Sequence, residues 1–237
     1  MTRHSPLLAE LHAHTTWSDG ELTSAELVDL YGAAGFDVLA VTDHVVPSAE
    51  EAHIRAASFP AYLDELLGEA ERALRLYGLI LIPGLELTVD DPDPRRAGHA
   101  VAVGLRRFVG VDAGLDEALS EARAAGAALI AAHPYPLERA AAASRGTARF
   151  AQEPEWAAAM VDRFELINRD DVFGWVAERR LPAVANGDFH RNEHLSTWKT
   201  LLNCARSEAA VVEELRSSRA CALTRVDPAR RETRRVA

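Results

Sequence analysis

Apolar runs of strand length recur along this chain, and most of them run straight into a histidine, an aspartate or a glutamate. LLAELHAH ends on His12 and His14, DVLAVTDH on Asp43 and His44, and PAVANGDFH on Asp188 and His190. GLILIPGLEL carries Glu86, GHAVAVGL starts with His99, and AALIAAHPY reaches His133. The segments between them space their apolar residues as helices do; SAELVDLYGAAG and LDEALSEARAAG each stop at a glycine. RFELINR and CALTRV read as further strands, and Glu50 to Tyr77, DVFGWVAERR and EAAVVEELRSS as helices. Strands that alternate with helices confine the chain to an α/β class, either a parallel sheet or an α/β barrel.

Two stretches break the rhythm. DDPDPRRAG, Asp90 to Gly98, reads as a turn between two strands. The segment from Pro134 to Trp156 is long and follows a polar strand end, where α/β folds place binding loops. The 237 residues suit one large domain, which we place at 1–225, with 226–237 as a flexible polar tail. No stretch approaches the roughly 20 apolar residues that a membrane helix needs. The N-terminus meets His4 and Glu10 too early for a secretory signal, so the expected setting is the cytoplasm, with no membrane partner. A net charge of −10, from 26 basic and 36 acidic residues, argues against long nucleic acid as a partner. Cys204 and Cys221 are too few for a disulfide scaffold and lack a metal-knuckle spacing.

The polar strand ends carry the chemistry. Residues two apart on a strand face the same way, so His12 with His14, and Asp188 with His190, can each aim two ligand atoms at one point. In an α/β barrel the C-terminal strand ends form one active face, so these pairs would converge on a single cavity. Imidazoles and carboxylates without thiolates suit Zn²⁺, Mn²⁺ or Fe²⁺. Burying so many polar groups costs on the order of several kcal/mol each unless something pairs them, and metal ions are an economical partner.

ELHAHTTWSDG, VLAVTDH, IPGLEL, AAHPY and NGDFH, in this order from Glu10 to His190, resemble the PHP family, named for polymerase and histidinol phosphatase. The resemblance implies a distorted seven-stranded (β/α) barrel with a trinuclear metal centre. It implies that His12, His14, Glu86 and Asp188 hold one divalent ion. Glu86 would bridge to a second, completed by His99 and His133, and Asp19, His44 and His190 would take the third. The implied ions are Mn, Zn or Fe, with Mg as an option at the third site. The SDG form of the first motif, Ser18-Asp19-Gly20, is similar to members that act on nucleotides and other small phosphoesters. Two positions keep a second reading. Asp19 also suits an Asx turn before Gly20, and His99 also suits a solvent-facing place after DPDPRRAG. Asp43 reads as a group that orients a histidine. Gly187 stands where a serine commonly precedes the last Asp-x-His.

The activity implied is hydrolysis of a small phosphate ester, a phosphomonoester or a nucleotide-like molecule. A hydroxide bridging two ions about 3.5–4 Å apart would attack phosphorus. Glu86 sits at that bridge, and His190 or His44 would protonate the leaving group. Phosphate recognition calls for cations beyond the ions. Arg139, Arg169, Arg191, His194 and Lys199, the only lysine, lie just past the ligand motifs. Trp17 and Trp198 are placed to stack a base or sugar, whereas Trp156 and Trp175 read as packing. The competing readings are a nuclease or phosphodiesterase acting on oligonucleotide ends, hydrolysis of a C–N or lactone bond, and a non-catalytic metal-binding regulatory domain.

Overall fold

The computed structural model describes residues 5–49, 53–140 and 147–226. The chain begins with β1 (Leu7–Glu10), α1 (Ser24–Ala33), β2 (Val38–Val41) and the two-residue β3 (His44–Val45). The long α2 (Phe59–Tyr77) leads into β4 (Ile80–Val89), β5 (Gly98–Val103), α3 (Leu115–Ala124) and β6 (Ala128–Ala132). Three short helices follow: α4 (Leu137–Ala140), α5 (Arg149–Gln152) and α6 (Pro154–Met160). Then come β7 (Arg163–Asn168), β8 (Asp171–Val172), α7 (Gly174–Glu178) and β9 (Ala183–Asn186). β10 (Trp198–Leu202), α8 (Glu208–Arg216) and β11 (Ala222–Arg225) complete the described residues.

These strands form one curled, mixed sheet in the order β11-β10-β1-β2-β4-β5-β6-β7-β8, with β3 branching onto β4 and β9 onto β7. The expected seven-stranded barrel is therefore not what the hydrogen bonding gives: nine strands lie on one path, and the sheet is not parallel throughout. β5 runs antiparallel to both β4 and β6. The reason is in DDPDPRRAG, a tight connection with no helix, and a parallel neighbour needs a crossover. Three other expectations change. The helix read from Glu50 starts at Phe59, with residues 50–52 outside the described set. DVFGWVAERR gives its first residues to β8 and is helical only over Gly174–Glu178. TWKTLL, not read as a strand, is β10, paired with β1 on one side and β11 on the other.

Most of β1, β2, β4, β5 and β6 is buried on both faces, which matches their unbroken apolar runs. One face packs against α1, α2 and α3 through Leu27, Tyr31, Tyr62, Leu66 and Leu119. The other carries Ala9, Val38, Ile82, Val101 and Ile130 and is covered by α8 through Val211 and Leu215. α1 starts at a capping box: Thr23 accepts from the Glu26 amide, and Glu26 reaches back to the Thr23 amide. Thr23→Ala should lower the unfolding free energy by about 1 kcal/mol, read as a shift in the urea midpoint at constant slope. α2 ends on Gly78, whose φ of 64° is the left-handed cap that glycine adopts without strain. No helix among the described residues is long and apolar enough to cross a membrane.

Two contacts join distant parts of the curl. Ala13, just past β1, forms a parallel bridge with Phe189, just past β9. His14 N donates to Phe189 O at 2.8 Å, and Phe189 N to His12 O at 3.0 Å. Beside it, the Thr200 hydroxyl of β10 accepts from Ala185 N and donates to Ala185 O of β9. Residues 227–237 of the expected tail lie outside the described set, whereas Val226 is buried and its amide bonds Thr197 O.

Candidate metal centre

The Ala13–Phe189 bridge sets the His12/His14 pair beside Asp188 and His190. Glu86 projects from the middle of β4, on the face that also carries Ile80 and Ile82. Its carboxylate is fully buried, with three imidazoles at Oε2 and two at Oε1. Oε2 lies 3.3 Å from His12 Nε2, 3.4 Å from His14 Nε2 and 2.9 Å from His44 Nδ1. Oε1 lies 3.4 Å from His99 Nδ1 and 3.3 Å from His133 Nε2. Asp188 Oδ1 is 3.6 Å from His12 Nε2 and 3.4 Å from His14 Nε2. Asp19 Oδ1 is 3.5 Å from His44 Nε2 and 3.2 Å from His190 Nε2. Three groups that could hold a metal ion result: His12, His14 and Glu86; Glu86, His99 and His133; and His14, Asp19, His44 and His190.

The residues fit divalent ions. His12 Nε2, both His14 nitrogens and His99 Nδ1 are buried without a hydrogen-bond partner, which is costly unless something else coordinates them. The spacings point the same way. A tetrahedral ion with bonds of about 2.1 Å holds its ligands about 3.4 Å apart.

The imidazoles are held from behind. His12 Nδ1 faces Glu165 Oε1 at 2.9 Å, His44 Nδ1 faces Thr88 Oγ1 at 2.7 Å, and His99 Nε2 faces Asp90 Oδ1 at 3.0 Å. His133 Nδ1 faces Thr147 Oγ1 at 3.2 Å. Such partners fix which ring nitrogen points at a metal. Glu165 was not recognised from the sequence. It also accepts from His133 N, Asn168 Nδ2 and Asn186 Nδ2, and a lone carboxylate inside the apolar run FELIN was the available signal. Asp43 was expected to orient a histidine. It instead accepts from Thr15 N, Thr15 Oγ1 and Ser18 Oγ, and so shapes the turn that presents Asp19.

In the metal-free chain these charges lean on one another. Burial raises the carboxyls of Glu86 and Asp188, but the neighbouring histidines outweigh it and hold both well below the usual range. Burial, with His44 close by, drives His14 down to about 3. Burial also opposes charge on His99, yet its bond to Asp90 and the nearby Glu86 carboxylate win and lift it to about 9. This gives opposite pH trends. A raised histidine stabilises the metal-free fold fully below its unfolded value of about 6.5, and that contribution is lost as pH rises through 9. A ligand must shed its proton, so Mn²⁺ affinity should climb by up to about tenfold per unit between pH 7 and 9. Mn²⁺ titrations across that range check it; a flat profile would show that His99 takes no part.

His133, Arg169 and Asp188 have φ of 28°, 54° and 44°, a region non-glycine residues rarely occupy, and all three line the cavity at the strand ends. The cavity measures about 440 Å³. Of the residues expected to contact substrate, Arg169, Arg191 and His194 line it. Arg169 donates to Asp188 O and pairs with Asp188 Oδ2 at 3.0 Å. Burial, with the Arg169 charge nearby, lowers His194 to about 4. Arg139 does not line the cavity; it pairs with Asp171 and bonds Val172 O. Lys199 is a correction. It is fully buried and pairs with Glu10 at 2.7 Å, so it offers no charge to the cavity. Trp17 packs edge-on against Tyr62, and neither Trp17 nor Trp198 lines the cavity.

Solved structures share this architecture. The chain superposes with a TM-score of 0.68 on a two-domain protein from Bacteroides vulgatus containing a predicted PHP-like metal-dependent phosphoesterase. The two are 19% identical, and the match covers 94% of this chain and 69% of that one. The fold is that of the PHP-like metal-dependent phosphoesterases. A putative metal-dependent phosphoesterase from Bifidobacterium adolescentis matches with a TM-score of 0.53 at 17% identity, over 79% of this chain and 90% of its own. An amidohydrolase from Chromobacterium violaceum with bound sulfate gives 0.53 at 16% identity, over 77% of this chain and 87% of its own. No protein-family model matches the sequence, and no curated protein does.

Proposed function

We propose that this chain, acting as one domain over 1–225, is a metal-dependent hydrolase of small phosphate esters. The observation that carries the reading is Glu86, a buried carboxylate with three imidazoles at one oxygen and two at the other, lining a cavity of about 440 Å³. On this reading His12, His14, Glu86 and Asp188 hold one ion, Glu86, His99 and His133 a second, and Asp19, His44 and His190 a third. Mn, Zn or Fe suits the donors, with Mg at the third site as an option. Bound ions would lower the pKa of water and neutralise charge that grows on the phosphoryl oxygens.

The chain's own groups do the rest. Arg169 and Arg191 offer guanidinium donors to the outer phosphoryl oxygens. His44 and His190 both face the cavity; as ligands of the third ion they would keep no free proton, so the leaving oxygen takes its proton from solvent water. Among the described residues the rim mixes these arginines with Glu21 and Asp171 rather than forming a basic stripe for a nucleic-acid backbone, which favours a small anion. The test is turnover with Mn²⁺ on p-nitrophenyl phosphate, its bis-ester, a nucleotide panel and an amide panel. Esters should be cleaved and amides spared. Phosphoester turnover no higher than that of a Glu86→Ala, His133→Ala double variant overturns the reading. Mn²⁺ at 100 times its Kd should also add about 2.7 kcal/mol of stability, seen as a higher Tm that a chelator reverses.

A further inference from the structure

One buried ion pair lies between the two ligand pairs and belongs to neither. Glu10 and Lys199 are both fully buried, with Nζ 2.7 Å from Oε2. Each has its bonding capacity filled from elements that carry the centre. Glu10 Oε1 accepts from His12 N at 3.3 Å and from Gly187 N at 2.9 Å, and Oε2 accepts from Tyr31 Oη. Lys199 Nζ donates to Thr197 Oγ1 at 2.8 Å and to His194 O at 3.0 Å. His194 Nδ1 in turn accepts from His190 N. The pair thus ties the backbone at His12, the backbone just before Asp188, and the loop just after His190.

Gly187 completes the arrangement. A Cβ at this position would meet Lys199 Nζ at 2.2 Å, Glu10 Oε2 at 2.5 Å and His194 O at 2.9 Å. Where the resemblance would place a serine, this chain has room only for glycine, because the ion pair occupies the space. Stability alone does not account for such a pair. Two charges taken out of water are often matched or surpassed by apolar residues of the same volume.

We propose that Glu10 and Lys199 are positioning residues of the metal centre: they set the spacing between the His12/His14 and Asp188/His190 strand ends, with Gly187 as the position that admits them. This rests on the metal-centre reading above and not on the identity of the ester. The test uses the full chain and Mn²⁺ alone, with affinity read by competition with a coloured chelator. Removing both charges together, Glu10→Met with Lys199→Met, should leave the metal-free protein folded by circular dichroism. Mn²⁺ affinity should fall by about tenfold or more. Gly187→Ala, which keeps both charges but crowds them, should weaken Mn²⁺ to a similar degree in the parent. Its effect should be smaller in the double variant, where Lys199 Nζ, the nearest of the three atoms it would meet, is gone.

A folded double variant with parental Mn²⁺ affinity overturns the proposal, as does an equal Gly187→Ala penalty in both backgrounds. Should the double variant fail to fold, folded Gly187→Ala with parental affinity overturns it, and folded Gly187→Ala with weakened affinity supports it. A parent that takes up no Mn²⁺ overturns the metal reading as well. A parent that takes it up but cleaves no ester overturns only the phosphoesterase reading.

Discussion

Glu86→Gln should cost the protein metal at two of its three candidate groups and lower phosphoester turnover by about 10³-fold. The size follows from Lewis-acid stabilisation worth several kcal/mol, with each ~1.4 kcal/mol counting for a factor of ten. Glu86 belongs to the groups built on His12 and His14 and on His99 and His133, whereas His14, Asp19, His44 and His190 form a group without it. Elemental analysis after Mn²⁺ loading should therefore show a larger loss in Glu86→Gln than in His133→Ala, which touches one group only. Equal losses would mean that Glu86 does not bridge.

Arg163→Met should destabilise the fold by about 3 kcal/mol, the largest effect expected away from the centre. Arg163 is fully buried at the start of β7. Its guanidinium donates to Leu215 O, Glu214 O, Ser217 O and Arg219 O, at and beyond the last turn of α8. It serves as a cation at a helix C-terminus and as the partner of carbonyls that the helix leaves unpaired. Methionine fills the space and supplies neither. Chemical denaturation reads the change; a loss under about 1 kcal/mol would show that water takes over those carbonyls.

The site was more legible in the sequence than the sheet that carries it. His12 and His14, or Asp188 and His190, stand out because polar groups in pairs at the end of an apolar run have no ordinary structural use. Asp90 gave His99 a partner, and His99 Nδ1 a view of Glu86, so the solvent-facing alternative for that residue does not describe the structure. The antiparallel β5 was hidden because the pattern of apolar residues shows where a strand lies and not which way it runs. β10 was hidden because Lys199 and Thr200 look like surface residues in TWKTLL, while the structure buries both. Their partners, Glu10 and Ala185, are remote in sequence, and no local spacing announces them. Glu165 was overlooked for the converse reason: among Phe164, Leu166 and Ile167 it passes for one outward-facing residue of a strand.

The bridge between Ala13 and Phe189 has a consequence for biogenesis. One end of the cavity comes from residues 12–14 and the other from 188–190, so everything between them must be made before the binding face is complete. An ion that takes ligands from both ends would bind only the closed curl, and would therefore favour closure by linkage.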